Sequence, residues 1–167
     1  MEEYFARVAK AASERNGEPI YNGSLDHARI IAEALFKHAQ KSVDVYCGEL
    51  NARVFGPDRI LDEAEQFLAS PNHSVRILVE NKDVLSKAHP FIARLNGRSN
   101  MEYRHLPSDV AKKIGFHAMV VDGDSYRFEA DKRKYAAVAA WGDGKGAGNL
   151  QRIFNSLWDL GVPVFIS

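Results

Sequence analysis

The stretch from residue 117 to residue 129, HAMVVDGDSYRFE, constrains the fold more than any other part of the chain. Two runs with strand character, HAMVV and SYRFE, flank the pair Asp122-Gly123. Asp-Gly between two such runs is a strong hairpin signal, because both residues tolerate the positive φ angles of a tight turn. The sequence therefore predicts an antiparallel strand pair here, which excludes an all-helical and an all-parallel fold.

Upstream of this hairpin, helical and strand patterns alternate. Apolar spacing predicts helices near residues 24–40, 57–70 and 148–160, and a helix disturbed by Pro90 in VLSKAHPFIARLN. The segments SVDVYCGEL, VRILVEN, MEYRHL and YAAVAAWG are typical of strands. This order predicts an α/β fold of the mixed α+β kind, in which helices flank a sheet with parallel and antiparallel strands.

Both ends of the chain carry apolar segments. The first fifteen residues have helical spacing and precede the turn-rich segment ERNGEPIYNGS. We therefore expect residues 1–20 to form a helical arm on a single domain that spans residues 1–167. The last segment, VPVFIS, is expected to add an edge strand, either to its own sheet or to a second subunit.

Composition narrows the class of protein. Lys plus Arg and Asp plus Glu both number 22, so the chain lacks the bulk positive charge typical of nucleic-acid-binding proteins. No apolar run approaches the ~18 residues that span a bilayer, and the N-terminus lacks a signal-peptide core. The single cysteine, Cys47, fits a reducing compartment. We expect a cytoplasmic protein without a membrane segment.

The element order, with a histidine near the start of the strand before an Asp-Gly turn, resembles one half of a phospholipase D-like fold over about residues 20–162. That superfamily includes phospholipases, nucleases and kinase-like phosphotransferases. Its motif is His-x-Lys-x4-Asp with a nearby Gly-Ser-x-Asn, and two copies meet at an interface. The resemblance implies a homodimer and a chemistry in which one histidine attacks phosphorus while lysines and asparagines hold the phosphoryl oxygens.

The motif departs from that pattern in two alternative alignments. If His117 is the motif histidine, Met119 replaces the lysine and Asp124 is the aspartate, but the apolar strand is two residues short. If Asp122-Gly123 ends the motif strand, His117 falls on the lysine position and Gly115 on the histidine position. We favour the second alignment because it preserves the strand length and the turn. Gly-Ser-x-Asn is absent in both, since that region reads RFEADK.

Two groups of residues are candidates for a ligand pocket. Arg127 and Glu129 alternate on the second hairpin strand, so both share a face and can pair with each other or with His117. Such a trio can bind a polar ligand or form a buried polar network. A second group follows a strand in CGELNARVFG, at the edge where open α/β sheets bind ligands. Its members, equally consistent with a solvated loop, are Glu49, Asn51 and Arg53.

Other motifs predict less. The segment WGDGKGAGNLQRIF lacks the Gly-Lys-Ser/Thr of a phosphate-binding loop, which favours a flexible strand-to-helix connection over a nucleotide site. The six histidines show no metal-ligand spacing, so we expect neither metal nor cofactor. The basic segments AKKIGF and DKRKY flank the hairpin, and a phosphate-bearing partner such as nucleic acid gains support if they converge beside His117.

Three functions are consistent with these observations. The first is a catalytically degenerate phospholipase D-like module that senses a ligand or docks on a protein partner, in a bacterial defence or stress setting suggested by the resemblance. The second is a homodimeric nuclease or phosphodiesterase that uses His117 with Lys112, Lys113 or Lys132. The third is a purely structural subunit of a larger complex.

Overall fold

The computed structural model describes all residues 1–167 and confirms the mixed α/β fold. One eight-stranded sheet has the strand order β1-β7-β6-β5-β2-β3-β4-β8. The pairs β2–β3 and β3–β4 are parallel, and the other neighbours are antiparallel. The strands are β1 (Ile20–Asn22), β2 (Ser42–Cys47), β3 (Ser74–Val79), β4 (Met101–His105), β5 (His117–Val121), β6 (Ser125–Glu129), β7 (Ala137–Trp141) and β8 (Val162–Pro163).

Helices flank this sheet on both faces. They are α1 (Glu2–Glu14), α2 (Leu25–Lys37), α3 (Ala52–Phe55), α4 (Asp58–Leu68), α5 (Pro90–Leu95), α6 (Ser108–Ala111) and α7 (Gly144–Leu160), with a 3₁₀ turn at Lys82–Val84. None of these helices combines the length and the apolar character needed to cross a lipid bilayer.

Local signals explain several helix boundaries. The hydroxyl of Ser24 accepts a hydrogen bond from the backbone N–H of His27 and caps α2. The expectation that Pro90 disturbs a helix is wrong in one respect, because Pro90 begins α5. Its missing N–H costs nothing in the first turn, and the His89 ring accepts from the N–H of Phe91.

The predicted hairpin is confirmed as β5–β6. Asp122 and Gly123 lie between these strands with φ angles of 57° and 71°. The Asp122 carboxylate accepts hydrogen bonds from the backbone N–H groups of residues 40–42, just before and at the start of β2. This side chain therefore fastens the hairpin turn to the neighbouring strand.

Two hydrophobic clusters cover the two faces of the sheet. The larger has 32 buried residues and lies mainly under α2, α4 and α5, whereas the smaller has seven and lies under α7. Because both faces of β2 are covered, Asp44 and Tyr46, which alternate with the core valines of that strand, are also buried.

The two chain ends pack on this body. Helix α1, expected as an arm, contacts α2 and β7 and buries Val8 and Ala12 in the larger cluster. This helix therefore lies beside the main body and packs on it through Val8 and Ala12, while most of its other side chains are exposed or half-buried. At the other end, β8 pairs with β4, and the N–H of Val164 donates to the carbonyl of Tyr103. The C-terminal segment thus adds an edge strand to its own sheet, one of the two expected alternatives.

The glycine-rich stretch differs from its expected structure. It is not a flexible connection, because α7 already begins at Gly144 and includes the glycines in its first turns. The Asp143 carboxylate accepts from the N–H of Gly146 and caps the helix. A carboxylate in that position satisfies the helix terminus that a phosphate would need, which argues further against a nucleotide site there.

Candidate ligand-binding site

A pocket of about 760 Å³ opens at the carboxyl ends of β2 and β3. Strand β5 runs antiparallel to β2, so its first residue, His117, lies at this same end of the sheet. Strand β6 returns to it, and its last residue, Glu129, is the direct cross-strand partner of His117. The hairpin therefore brings both side chains to the edge where ligands bind in open α/β sheets.

The imidazole of His117 lies between two carboxylates. Its Nδ1 atom is 3.3 Å from Oε1 of Glu129, and its Nε2 atom is 3.6 Å from Oε1 of Glu80. The second distance is too long for a hydrogen bond, and Nε2 is buried without a partner. His117 therefore has a carboxylate near each ring nitrogen, and its Nε2 atom has no hydrogen-bond partner.

Each of the two carboxylates forms an ion pair with its own cation. Arg127 donates to Oε2 of Glu129 at 3.0 Å. Lys132 donates to both oxygens of Glu80, at 2.9 and 3.2 Å, and to the carbonyl of Ala111. The result is an ion chain, which we define as Arg127, Glu129, His117, Glu80 and Lys132, with alternating positive and negative groups on either side of the imidazole.

Tyr46 and Cys47 complete the inner wall from β2. The Tyr46 hydroxyl donates to Glu80 at 2.6 Å, and burial followed by this hydrogen bond raises the pKa of Tyr46 above its usual value. Burial also raises the pKa of the Cys47 thiol to about 12. A thiol with so high a pKa is protonated at neutral pH, so Cys47 is a poor nucleophile.

Most of the sequence-predicted site residues lie in this pocket. His117, Arg127, Glu129, Asn51 and the more exposed Glu49 line it. The amide of Asn51 donates to the hydroxyl of Tyr135 across the pocket, on the loop between β6 and β7.

Three predicted basic residues lie elsewhere. Arg53 does not line the pocket, because it is on the exposed side of α3, where its carbonyl accepts from Arg29. Among the lysines proposed to assist His117, only Lys132 lines the pocket. Lys112 and Lys113 are exposed and do not line the pocket.

Sequence reasoning missed Glu80 and Gly48. Glu80 follows β3 directly, at the same sheet edge, so the rule that selected Glu49 after β2 also predicts it. The role of Gly48 had no signal in the sequence: a β-carbon there would lie 3.4 Å from Cε1 and 3.6 Å from Nε2 of His117. The glycine thus lies against the edge of the ring that carries the unsatisfied nitrogen.

The two motif alignments place different residues in the pocket. In the first, Met119 follows His117 on the same face of β5 and lines the pocket while it is packed in the core. In the second, Gly115 precedes β5 and is exposed, and Asp122 fastens the turn. The degenerate motif stays a prediction. No group of three His, Cys, Asp or Glu side chains is arranged to hold a metal ion.

Comparison with known proteins identifies the family. Residues 24–165 match the family described as a domain of unknown function, DUF7931. The chain belongs to this family. No curated protein matches its sequence.

Solved structures of phospholipase D relatives share the fold. NucT from Helicobacter pylori superimposes with a TM-score of 0.65 at 13% identity, covering 88% of this chain and 99% of its own. Nuc from Salmonella typhimurium, a phospholipase D family member, superimposes with a TM-score of 0.55 at 16% identity, covering 90% of this chain and 100% of its own. This DUF7931 domain therefore has a phospholipase D-like fold.

TrmBL2, an archaeal chromatin protein with a described mode of DNA binding, also has a similar structure. It gives a TM-score of 0.66 at 14% identity, covering 98% of this chain. The chain spans only 60% of the length of TrmBL2, so the similarity concerns one part of that protein.

Proposed function

We propose that this domain is a catalytically degenerate phospholipase D-like module that binds a ligand in the His117 pocket for sensing or partner regulation. The observation that carries the proposal is the position of Nε2 of His117, which is buried and faces Glu80 at 3.6 Å. A nucleophilic imidazole oriented through Nδ1 must attack phosphorus through Nε2. A carboxylate in front of that atom repels an anionic phosphodiester.

The cations of the pocket support the same conclusion. Arg127 and Lys132 each pair with a glutamate, so neither supplies an uncompensated positive charge to phosphoryl oxygens. In the first motif alignment the lysine position holds Met119, whose thioether cannot neutralise developing charge. Loss of a single such donor costs about 10²–10³ in rate. An open pocket of about 760 Å³ lined by these polar groups favours binding over a purely structural role.

A metal-free phosphodiesterase or nuclease is the second candidate function. It is favoured by the 3.3 Å approach of Glu129 to Nδ1 of His117, which is how a carboxylate orients a reactive imidazole. The basic segments AKKIGF and DKRKY also meet, because the N–H of Lys132 donates to the carbonyl of Gly115. This contact supports nucleic acid as the substrate of a homodimeric enzyme.

A cleavage assay separates the two functions. A generic phosphodiester and single- and double-stranded DNA would be incubated, with a chelator present, with the wild type and with His117→Ala. His27→Ala is a matched control, because His27 lies on α2 outside the pocket. We expect no cleavage by any of the three proteins. Cleavage by the wild type and by His27→Ala that disappears in His117→Ala would overturn the proposal.

A further inference from the structure

We propose that the His117 pocket takes a neutral amphipathic ligand, with an apolar or aromatic body and a head group of the carboxamide type. This inference rests on the proposed function, because it treats the pocket as a binding site rather than a catalytic centre. The inference rests on three features of the pocket: the balance of its charges, its unsatisfied polar atoms and its apolar lining.

The first feature is charge balance. The side chains of the ion chain are only 11–26% exposed. Its two carboxylates are matched by two cations, so the ion chain has no net charge when the imidazole between them is neutral. A ligand that brings a further charge into this site adds an uncompensated charge to a poorly solvated environment, which is strongly unfavourable. A neutral head group avoids that cost.

The second feature is a pair of unsatisfied polar atoms. Glu129 lies nearer to Nδ1 of His117, at 3.3 Å, than Glu80 lies to Nε2, at 3.6 Å, so we infer the tautomer with the proton on Nδ1. In that tautomer the buried Nε2 atom is an acceptor without a donor. The Nε–H group of Arg127, which also lines the pocket, is a buried donor without an acceptor. A carboxamide carries both kinds of group, an N–H donor that suits Nε2 of His117 and a carbonyl acceptor that suits the Nε–H of Arg127.

The third feature is the composition of the remaining wall. Leu50, Val54 and Phe55 line the pocket from the segment that follows β2, and Met119 and Val45 line it from the sheet. These five side chains are each at most 9% exposed, so they form the floor of the pocket, and an apolar body gains free energy by covering the part of them that is still exposed. A pocket with a polar end and an apolar wall is complementary to an amphipathic small molecule, which has a polar and an apolar part.

Gly48 lies beside the polar end of the pocket. Its φ angle is not positive, so its backbone conformation does not require glycine. A methyl group at this position would contact the edge of His117 at 3.4–3.6 Å, an ordinary packing distance. We infer that the missing side chain leaves room for the ligand head group beside Nε2.

Three probes with the same ring and different head groups test the charge of the ligand. Benzamide is neutral, benzoate is an anion and benzamidinium is a cation. Each would be titrated into the full chain and followed by backbone amide shifts in two-dimensional NMR. We expect benzamide to shift the signals of residues around Gly48, Glu80 and His117, with an affinity at least about tenfold above either charged probe. A charged probe that binds as tightly, or no saturable shift with benzamide, overturns the inference.

A pair of glycine variants tests where the head group sits. Gly48→Ala is expected to weaken benzamide binding at least about fivefold without changing the fold. Gly23→Ala is the matched control, because Gly23 is exposed and has no atoms within 4 Å of its added methyl group. Equal affinity of both variants would contradict the role of Gly48.

These outcomes are distinguishable from a failure of the proposed function. Tighter binding of benzoate without phosphodiester cleavage rejects the neutral-ligand inference and leaves the binding module intact. Cleavage that depends on His117 rejects the proposed function, whatever the relative affinities of the three probes.

Discussion

The central strand β2 separates two polar networks that differ in one respect. On the face covered by α7, Asp44 accepts from Arg76 at 2.7 and 2.8 Å and from Gln151 at 2.8 Å. Asn155 accepts a further hydrogen bond from Arg76. At the pocket end of the sheet, the ion chain around His117 leaves two buried nitrogens without partners.

Unpaired buried nitrogens distinguish the pocket network from the structural network around Asp44. Arg76 is also stacked near Phe154 and Trp158, 4.9 and 5.3 Å from their ring centres. Its pKa is raised, chiefly by the hydrogen bond with Asp44. Native proteins seldom leave buried polar atoms unpaired without a reason. The complete network around Asp44 therefore stabilises the fold, whereas the incomplete one at His117 is consistent with a ligand that completes it.

The largest effect is expected at Asp44. Asp44→Ala leaves Arg76 stacked between the sheet and α7 without its counter-ion. The free energy of unfolding should therefore fall by about 3–5 kcal/mol. Asp44→Asn keeps the shape and part of the hydrogen bonding, and should lose less. Urea unfolding followed by circular dichroism measures both. A loss below about 1 kcal/mol for Asp44→Ala would show that this network is not structural.

Met119→Lys tests whether the pocket tolerates restoration of a motif lysine. Met119 is 4% exposed and packs in the larger hydrophobic cluster beside Arg127, its cross-strand partner. A second cation there lacks a counter-ion, so we expect a loss of about 2–3 kcal/mol and no gain of phosphodiester cleavage. Met119→Leu is the matched control and should cost less than about 1.5 kcal/mol. Cleavage by Met119→Lys would instead favour the first motif alignment.

The fold was largely predictable because its signals are local. Asp122-Gly123 predicted the hairpin, and apolar spacing predicted α2, α4 and every strand from β2 to β7. Failures occurred where distant contacts decide the structure. The sequence did not predict that Val8 and Ala12 of α1 pack into the larger cluster, nor that the Asp143 cap extends α7 over glycines that have low helix propensity.

The site was predictable only in part, for the same reason. One hairpin carries His117, Arg127 and Glu129, so strand alternation alone predicts that these side chains lie close together. Glu80 and Lys132 are 52 residues apart in the chain and meet only through the sheet order. No pattern in the sequence predicts that their ion pair closes one side of the imidazole.

Asp122→Ala tests the anchor at the far end of the hairpin. The change removes the acceptor for three backbone N–H groups and places alanine at a positive φ angle. Two of these groups belong to exposed residues and can bond to water, so we expect a loss of about 1–2 kcal/mol. Asp122→Asn tolerates the same φ angle and retains one acceptor oxygen, so thermal unfolding should show a smaller loss. Equal losses for both variants would assign the effect to charge rather than to conformation.

The smallest effect on stability is expected at His117, although this residue is central to the proposed function. Its contacts with Glu80 and Glu129 are long, and its Nε2 atom has no partner whose loss would cost free energy. Alanine there enlarges a pocket that is already open, so water replaces the ring and no dry cavity forms. His117→Ala should change the free energy of unfolding by less than about 1 kcal/mol, in contrast to Asp44→Ala. A loss as large as that of Asp44→Ala would mean that the ion chain stabilises the fold, and the distinction between the two networks would fail.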